Sequence, residues 1–191
     1  MFIKPKSEGQ KSPKQKPKKQ EEFKEWMTPD EMQQLSRDYV LKHEGITILS
    51  LDYVIENGIN WNENDDIDYD GYKICDLSGG KEVPFTGLLY ELFQDGDLSW
   101  YGYYKDGLEI KENVSFFGSG EVHIYHGFGR YYEWRENGNI RLARVRHEDD
   151  LYLHIAKNGK VTRLTWSQIH DLHSSAIMDR NGIHGPYDYL D

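Results

Sequence analysis

Cysteine is nearly absent from this chain of 191 residues: Cys75 stands alone, which excludes an internal disulfide framework and fits a reducing compartment. A single thiol in that setting behaves as a small buried apolar residue, and no role is assigned to it. Long apolar runs are missing too. None approaches the roughly 18 residues that a membrane helix needs, and the Lys-rich start lacks the apolar stretch of a signal peptide. A cytoplasmic protein with no membrane partner is the expectation. There is no Gly-x-Ser-x-Gly, no phosphate loop and no dinucleotide fingerprint, so neither an enzymatic activity nor a cofactor is expected.

Aromatic residues are abundant, at 14% with fourteen Tyr and five Trp, and these favour strands and wide half-buried surfaces. The formal charge of -10 conceals an asymmetry. Residues 1–20 hold seven Lys and one acid, which leaves residues 21–191 at -16. A body so acidic repels nucleic acid and anionic membrane and attracts a basic partner, the more weakly as salt rises.

The pattern along the chain divides it into four parts. Residues 1–25 read as a disordered basic tail, because they are too poor in apolar side chains to offset the entropy of ordering. The tail reads as a solubilising extension, with a basic arm for RNA or for the chain's own acidic body as the competing reading. Residues 26–45 read as a capping helix over about 29–43. Thr28 is its N-cap, Pro29 its first position and Gly45 its stop, with Met32, Leu35, Tyr39 and Val40 on the packing face. Residues 46–163 read as β. Ile46, Ile48, Leu49 and Leu51 suggest a strand ending before an Asn57-Gly58 turn, and 60–70 reads as an acidic loop. Residues 164–191 carry a helix over about 165–178, then a tail extended along a sheet edge or mobile.

Self-similarity decides the architecture. Four segments align: Leu92-Phe93-Gln94-Asp95-Gly96-Asp97-Leu98, Phe116-Phe117-Gly118-Ser119-Gly120-Glu121-Val122, Trp134-Arg135-Glu136-Asn137-Gly138-Asn139-Ile140, and Ile155-Ala156-Lys157-Asn158-Gly159-Lys160-Val161. Each has a glycine with an apolar residue four positions before it and another two positions after. Asp-Gly and Asn-Gly supply the positive φ of a tight two-residue hairpin turn, so each unit reads as strand, turn, strand. A lone hairpin is marginal in water, so successive hairpins should pair edge to edge into one twisted antiparallel meander with helical caps. Gly127-Phe128-Gly129 reads as a bend or bulge between aromatic strands.

The runs Asp68-Tyr69-Asp70-Gly71, Pro84 to Gly96, and Trp100-Tyr101-Gly102-Tyr103-Tyr104-Lys105-Asp106-Gly107 resemble the MORN-variant repeat of the YwqK-family antitoxins. The resemblance spans about residues 66–163. It departs at Gly118-Ser119-Gly120, where the family has Asn or an acid before Gly, and in the fourth unit, which lacks aromatics. It implies an antitoxin or immunity protein that occludes the active cleft of a cognate polymorphic toxin of deaminase or nuclease type. A MORN-type scaffold or membrane-surface adaptor is the alternative.

Candidate partner-binding residues are the acids Glu63, Asp65, Asp66, Asp68 and Asp70, with Glu148, Asp149 and Asp150 between the third and fourth units. The competing reading for each is a solvated surface. His170 and His173 are spaced for one helix face, yet no second ligand pair accompanies them, so no metal is expected. His123 and His126 are expected to pack beside Tyr125.

Overall fold

The computed structural model describes residues 24–69, 73–146 and 151–170. They form a mainly β protein. Three short helices come first: α1 (Pro29–Gln34), α2 (Arg37–His43) and α3 (Leu51–Asn57). Then come β1 (Gly58–Asn60), a 3-10 turn (Trp61–Glu63), β2 (Ile67–Tyr69), β3 (Ile74–Asp76) and β4 (Val83–Pro84). The repeat region supplies β5 (Gly87–Leu92), β6 (Leu98–Lys105), β7 (Leu108–Phe116), β8 (Val122–Gly127), β9 (Arg130–Trp134), β10 (Ile140–Arg146), β11 (Leu151–Ile155) and β12 (Val161–Thr165). Strands β5 to β12 pair in chain order as an antiparallel meander, and β1 adds to β5 in parallel. Strands β2, β3 and β4 form a second sheet, so the expected single meander is two sheets.

The four aligned segments are hairpins whose closing pairs are Leu92–Leu98, Phe116–Val122, Trp134–Ile140 and Ile155–Val161. These are the apolar positions of the repeat, and all eight side chains pack in one cluster on one face of the sheet. The turns differ from the expected two-residue type. In each, the residue after the first strand accepts the glycine N–H and donates to the carbonyl beyond it, as in Phe93 N to Asp97 O and Gly96 N to Phe93 O. That is a three-residue loop closed by glycine at positive φ, +82° to +93° in the four loops. Asp95, Asn137 and Asn158 each accept the backbone N–H two residues on, at 3.3, 3.0 and 3.0 Å, which is why those side chains precede the glycine.

The opposite end of the sheet has two-residue turns, Asp106-Gly107 and Phe128-Gly129, with all four residues at positive φ. Gly127-Phe128-Gly129 is therefore neither a bend nor a bulge: Gly127 pairs with Arg130 and closes a hairpin.

Segment 24–57 covers the apolar face. Thr28 caps α1 with a reciprocal Glu31 bond, and Gly45 follows α2 at φ +66°, as the sequence indicates. The expected continuous helix is broken at Leu35-Ser36. An unbroken helix would spend the Leu35 carbonyl and the Arg37 N–H on its own ladder. Here Trp134 Nε1 donates to Leu35 O at 2.9 Å and Arg37 N donates to Gly138 O at 2.9 Å, so the sheet takes both. Tyr39 points outward and stacks on His43 at 4.1 Å. The expected strand at 46–51 is absent: residues 46–50 run without a ladder and Ser50 caps α3 by accepting Tyr53 N. Ile46, Ile48, Leu49 and Leu51 still pack on the sheet, which explains their apolar character. Asn57-Gly58 joins α3 to β1 rather than turning a hairpin. The chain is engaged from its first described residues, with Glu25 O accepting Val161 N and Met27 N donating to Gly159 O.

The other face is covered at both sides. Ile67 and Ile74 of the small sheet pack with Phe85 and Leu89. At the far side residues 166–170 are helical, with Gln168 and Thr165 capping each other, and Ile169 packs on Leu142, Tyr152 and Leu164. The rest of the expected C-terminal helix, His173 and the tail lie outside the described residues.

Candidate functional site

Between these coverings lies a polar strip on β7, β8 and β9. Register places Ser115, Ile124 and Glu133 in one row across it and Asn113, His126 and Tyr131 in the next. The first row continues into Leu142 of β10. These side chains alternate with the apolar row Val114, Tyr125, Tyr132 on the opposite face. His123 and His126 thus face away from Tyr125, against the expectation.

Three of the four hairpins carry one extra residue just after the closing pair: Ser99, His123 and Arg141. The fourth pairs without one. Such bulges re-aim side chains, and two of them serve a single carboxylate. Glu133 is 2% exposed, with Arg141 Nη1 at 3.4 Å and His123 Nε2 at 3.8 Å from its Oε1. A carboxylate buried this deeply costs several kcal/mol unless paired, and the Arg141 guanidinium beside it offsets part of that cost. The His123 ring also lies 4.3 Å from that of Phe117.

The second group is more open. His126 Nδ1 sits 2.9 Å from Glu109 Oε1, and Asn113 donates to Glu109 Oε2 at 3.3 Å. Tyr104, which hydrogen-bonds Asn113, is pushed up to about 12 by burial and then by Glu109, so it stays protonated. Gly102 leaves room beside this group, since a Cβ there would lie 3.0 Å from Asn113 Nδ2 and 3.2 Å from the Tyr104 ring. Glu109, Asn113 and His126 are the members of the strip that present donors and acceptors to solvent, whereas Glu133 and Tyr131 are buried.

The sequence-predicted acids lie elsewhere. Glu63 in the 3-10 turn, Asp65 and Asp66 in the turn after it and Asp68 on β2 are all exposed on the segment leading into the small sheet. Asp70, Glu148, Asp149 and Asp150 lie outside the described residues, the last three in the connection from β10 to β11. His170 is exposed on the last described turn. Among the described residues no three His, Cys, Asp or Glu side chains are placed to hold a metal ion, and no helix is long and apolar enough to cross a membrane. The polar strip was missed because Glu109, His123, Glu133 and Arg141 share no spacing in the sequence. Only the alternation of β8 and β9 hinted that polar residues there face away from the aromatic ones.

No family model, curated protein or solved structure matches this chain.

Proposed function

We propose that the protein is an antitoxin or immunity protein that binds a basic toxin domain of deaminase or nuclease type and occludes its active site through an acidic surface. The observation that carries this reading is the outward presentation of Glu63, Asp65, Asp66 and Asp68 on a body whose residues 21–191 hold a charge of -16. Carboxylates on an outer layer can fill a groove built for phosphates, and long-range attraction raises the association rate. The Glu109–His126 pair on the polar strip, part-exposed to solvent, offers further directional contacts. None of this requires chemistry by the protein itself.

The test is capture from lysate of the native organism with the chain lacking residues 1–20, at low and high salt, followed by titration with the purified captured domain. A basic domain held at low salt and released as salt rises is the expected result. Replacing the four acids by Asn and Gln should weaken it at least tenfold. Capture of nothing, or binding indifferent to both salt and the four replacements, would sink the reading.

A further inference from the structure

The two-residue turns at one end of the sheet have the same geometry and different residues. Asp106 stands at φ +52° in one and Phe128 at φ +51° in the other. This position favours Asn, Asp or Gly, and a bulky side chain there is strained by about 1 kcal/mol or more. Phe128 is also 73% exposed, the most exposed of the large hydrophobic side chains described. It gains neither turn stability nor burial, so the folded monomer gives no reason for a phenylalanine there. Leu108 and Ile110 on β7, 51% and 49% exposed, extend the same end.

Beside Phe128 is a groove of about 490 Å³ lined by Glu44, Ile46, Thr47, Glu112, Tyr125 and Arg130 among others. Its charges are balanced. Arg130 Nη1 lies 3.0 Å from Glu44 Oε2 and donates to Glu44 O at 3.1 Å, while Lys111 and Glu112 stand next to each other on the rim. An apolar knob thus adjoins a hole lined by Ile46 and Tyr125 together with balanced charges, a locally neutral patch on a strongly acidic molecule.

We propose that this end is a self-association surface whose occupant is a second copy of the chain. A two-fold axis beside Phe128 sets each ring into the other copy's groove, over Ile46 and Tyr125, and brings Lys111 of each copy toward Glu112 of the other. Knob and hole on one patch satisfy the requirement of an isologous contact, which closes at two copies. Charge selects the occupant. Two chains of -10 repel over most of their surface and can approach where the local charge cancels, whereas a basic partner would favour the acidic segment at 63–68. The proposal does not depend on the toxin-binding reading.

The test is sedimentation equilibrium of the full chain over a wide concentration range, with Phe128→Asn and Thr47→Arg beside the wild type. Asn suits the turn, so Phe128→Asn keeps the fold; Thr47 is exposed, and Arg there fills the groove from the other side. A wild-type dimer that loses affinity on the order of a hundredfold or more in Phe128→Asn, with two rings withdrawn from burial, is the expected result. Thr47→Arg should also dissociate it, and added salt should leave the wild-type dimer intact. A wild type that stays monomeric, or a dimer indifferent to Phe128→Asn, would overturn the proposal.

Discussion

The two ends of the nine-stranded sheet are made by the same strands and differ in what lies over them. At the three-residue-loop end, four apolar closing pairs pack in one cluster with side chains of α1, α2 and α3. Buried Arg37 ties two neighbouring loops together, donating to Val122 O at 3.2 Å and Glu136 O at 3.4 Å and pairing with Glu121. Arg135 does the same between the next two, donating to Ile140 O at 2.6 Å and Ile155 O at 2.9 Å. At the two-residue-turn end one turn is backed by the small sheet through Ile74 N to Gly107 O, 3.0 Å, while the other projects Phe128 into solvent. The lesson is that the repeated residues serve stability where a cap covers them, and the residues free to serve binding lie where it does not.

The sharpest way to break this contrast is Trp134→Ala at the covered end. Trp134 is fully buried, closes the third hairpin, stacks on Tyr132 at 5.5 Å and bonds Leu35 O. It should cost about 3–5 kcal/mol, seen as a lower urea midpoint at unchanged slope. Arg37→Ala should follow at about 1.5–3 kcal/mol, since carbonyls of two loops lose a charged donor. A loss under half a kcal/mol in thermal unfolding would show that the loops do not depend on that tie.

A pair of glycines compares the ends directly. Gly120→Ala meets open space, so its cost should be the backbone term alone, about 1–2 kcal/mol. Gly107→Ala places its Cβ 2.7 Å from Ile74 O and should cost clearly more. Equal losses in parallel denaturation curves would mean that the small sheet does not hold the Asp106-Gly107 turn. The smallest effect is a gain. Ser119 occupies the place where Asp95, Asn137 and Asn158 bond the backbone two residues on, so Ser119→Asn should add about 0.5 kcal/mol.

The alkaline limit tests the covered face as a whole. Tyr132 is pushed up to about 12 by burial and then by Glu44, and Tyr101 is raised further by burial. A phenol whose folded value is raised stabilises the protein below its unfolded value near 10, and that stability is lost as pH climbs toward the folded value. Absorbance titration should show some tyrosines ionising only above pH 11, together with unfolding; uniform titration near pH 10 in the folded protein would contradict it.

Hairpin positions and the caps of α1 were legible because their causes are local. Asp-Gly and Asn-Gly set the loops, apolar residues at fixed offsets set the closing pairs, and Thr28-Pro29 with Glu31 starts the helix. The acids at 63–68 were legible as exposed for the same reason. The polar strip was not, because His123 and Arg141 reach Glu133 through bulges that sequence periodicity does not register.

By itself, then, the sequence determined a mainly β repeat with a helical cap and an acidic surface, since turn chemistry, side-chain alternation and charge act within a few residues of their origin. Only the tertiary structure decided that the cap helix breaks at Leu35-Ser36, that 46–51 packs without becoming a strand, and that one buried carboxylate gathers an arginine and a histidine. The physical reason is separation along the chain: the group that claims the Leu35 carbonyl is 99 residues away, and no local pattern announces it.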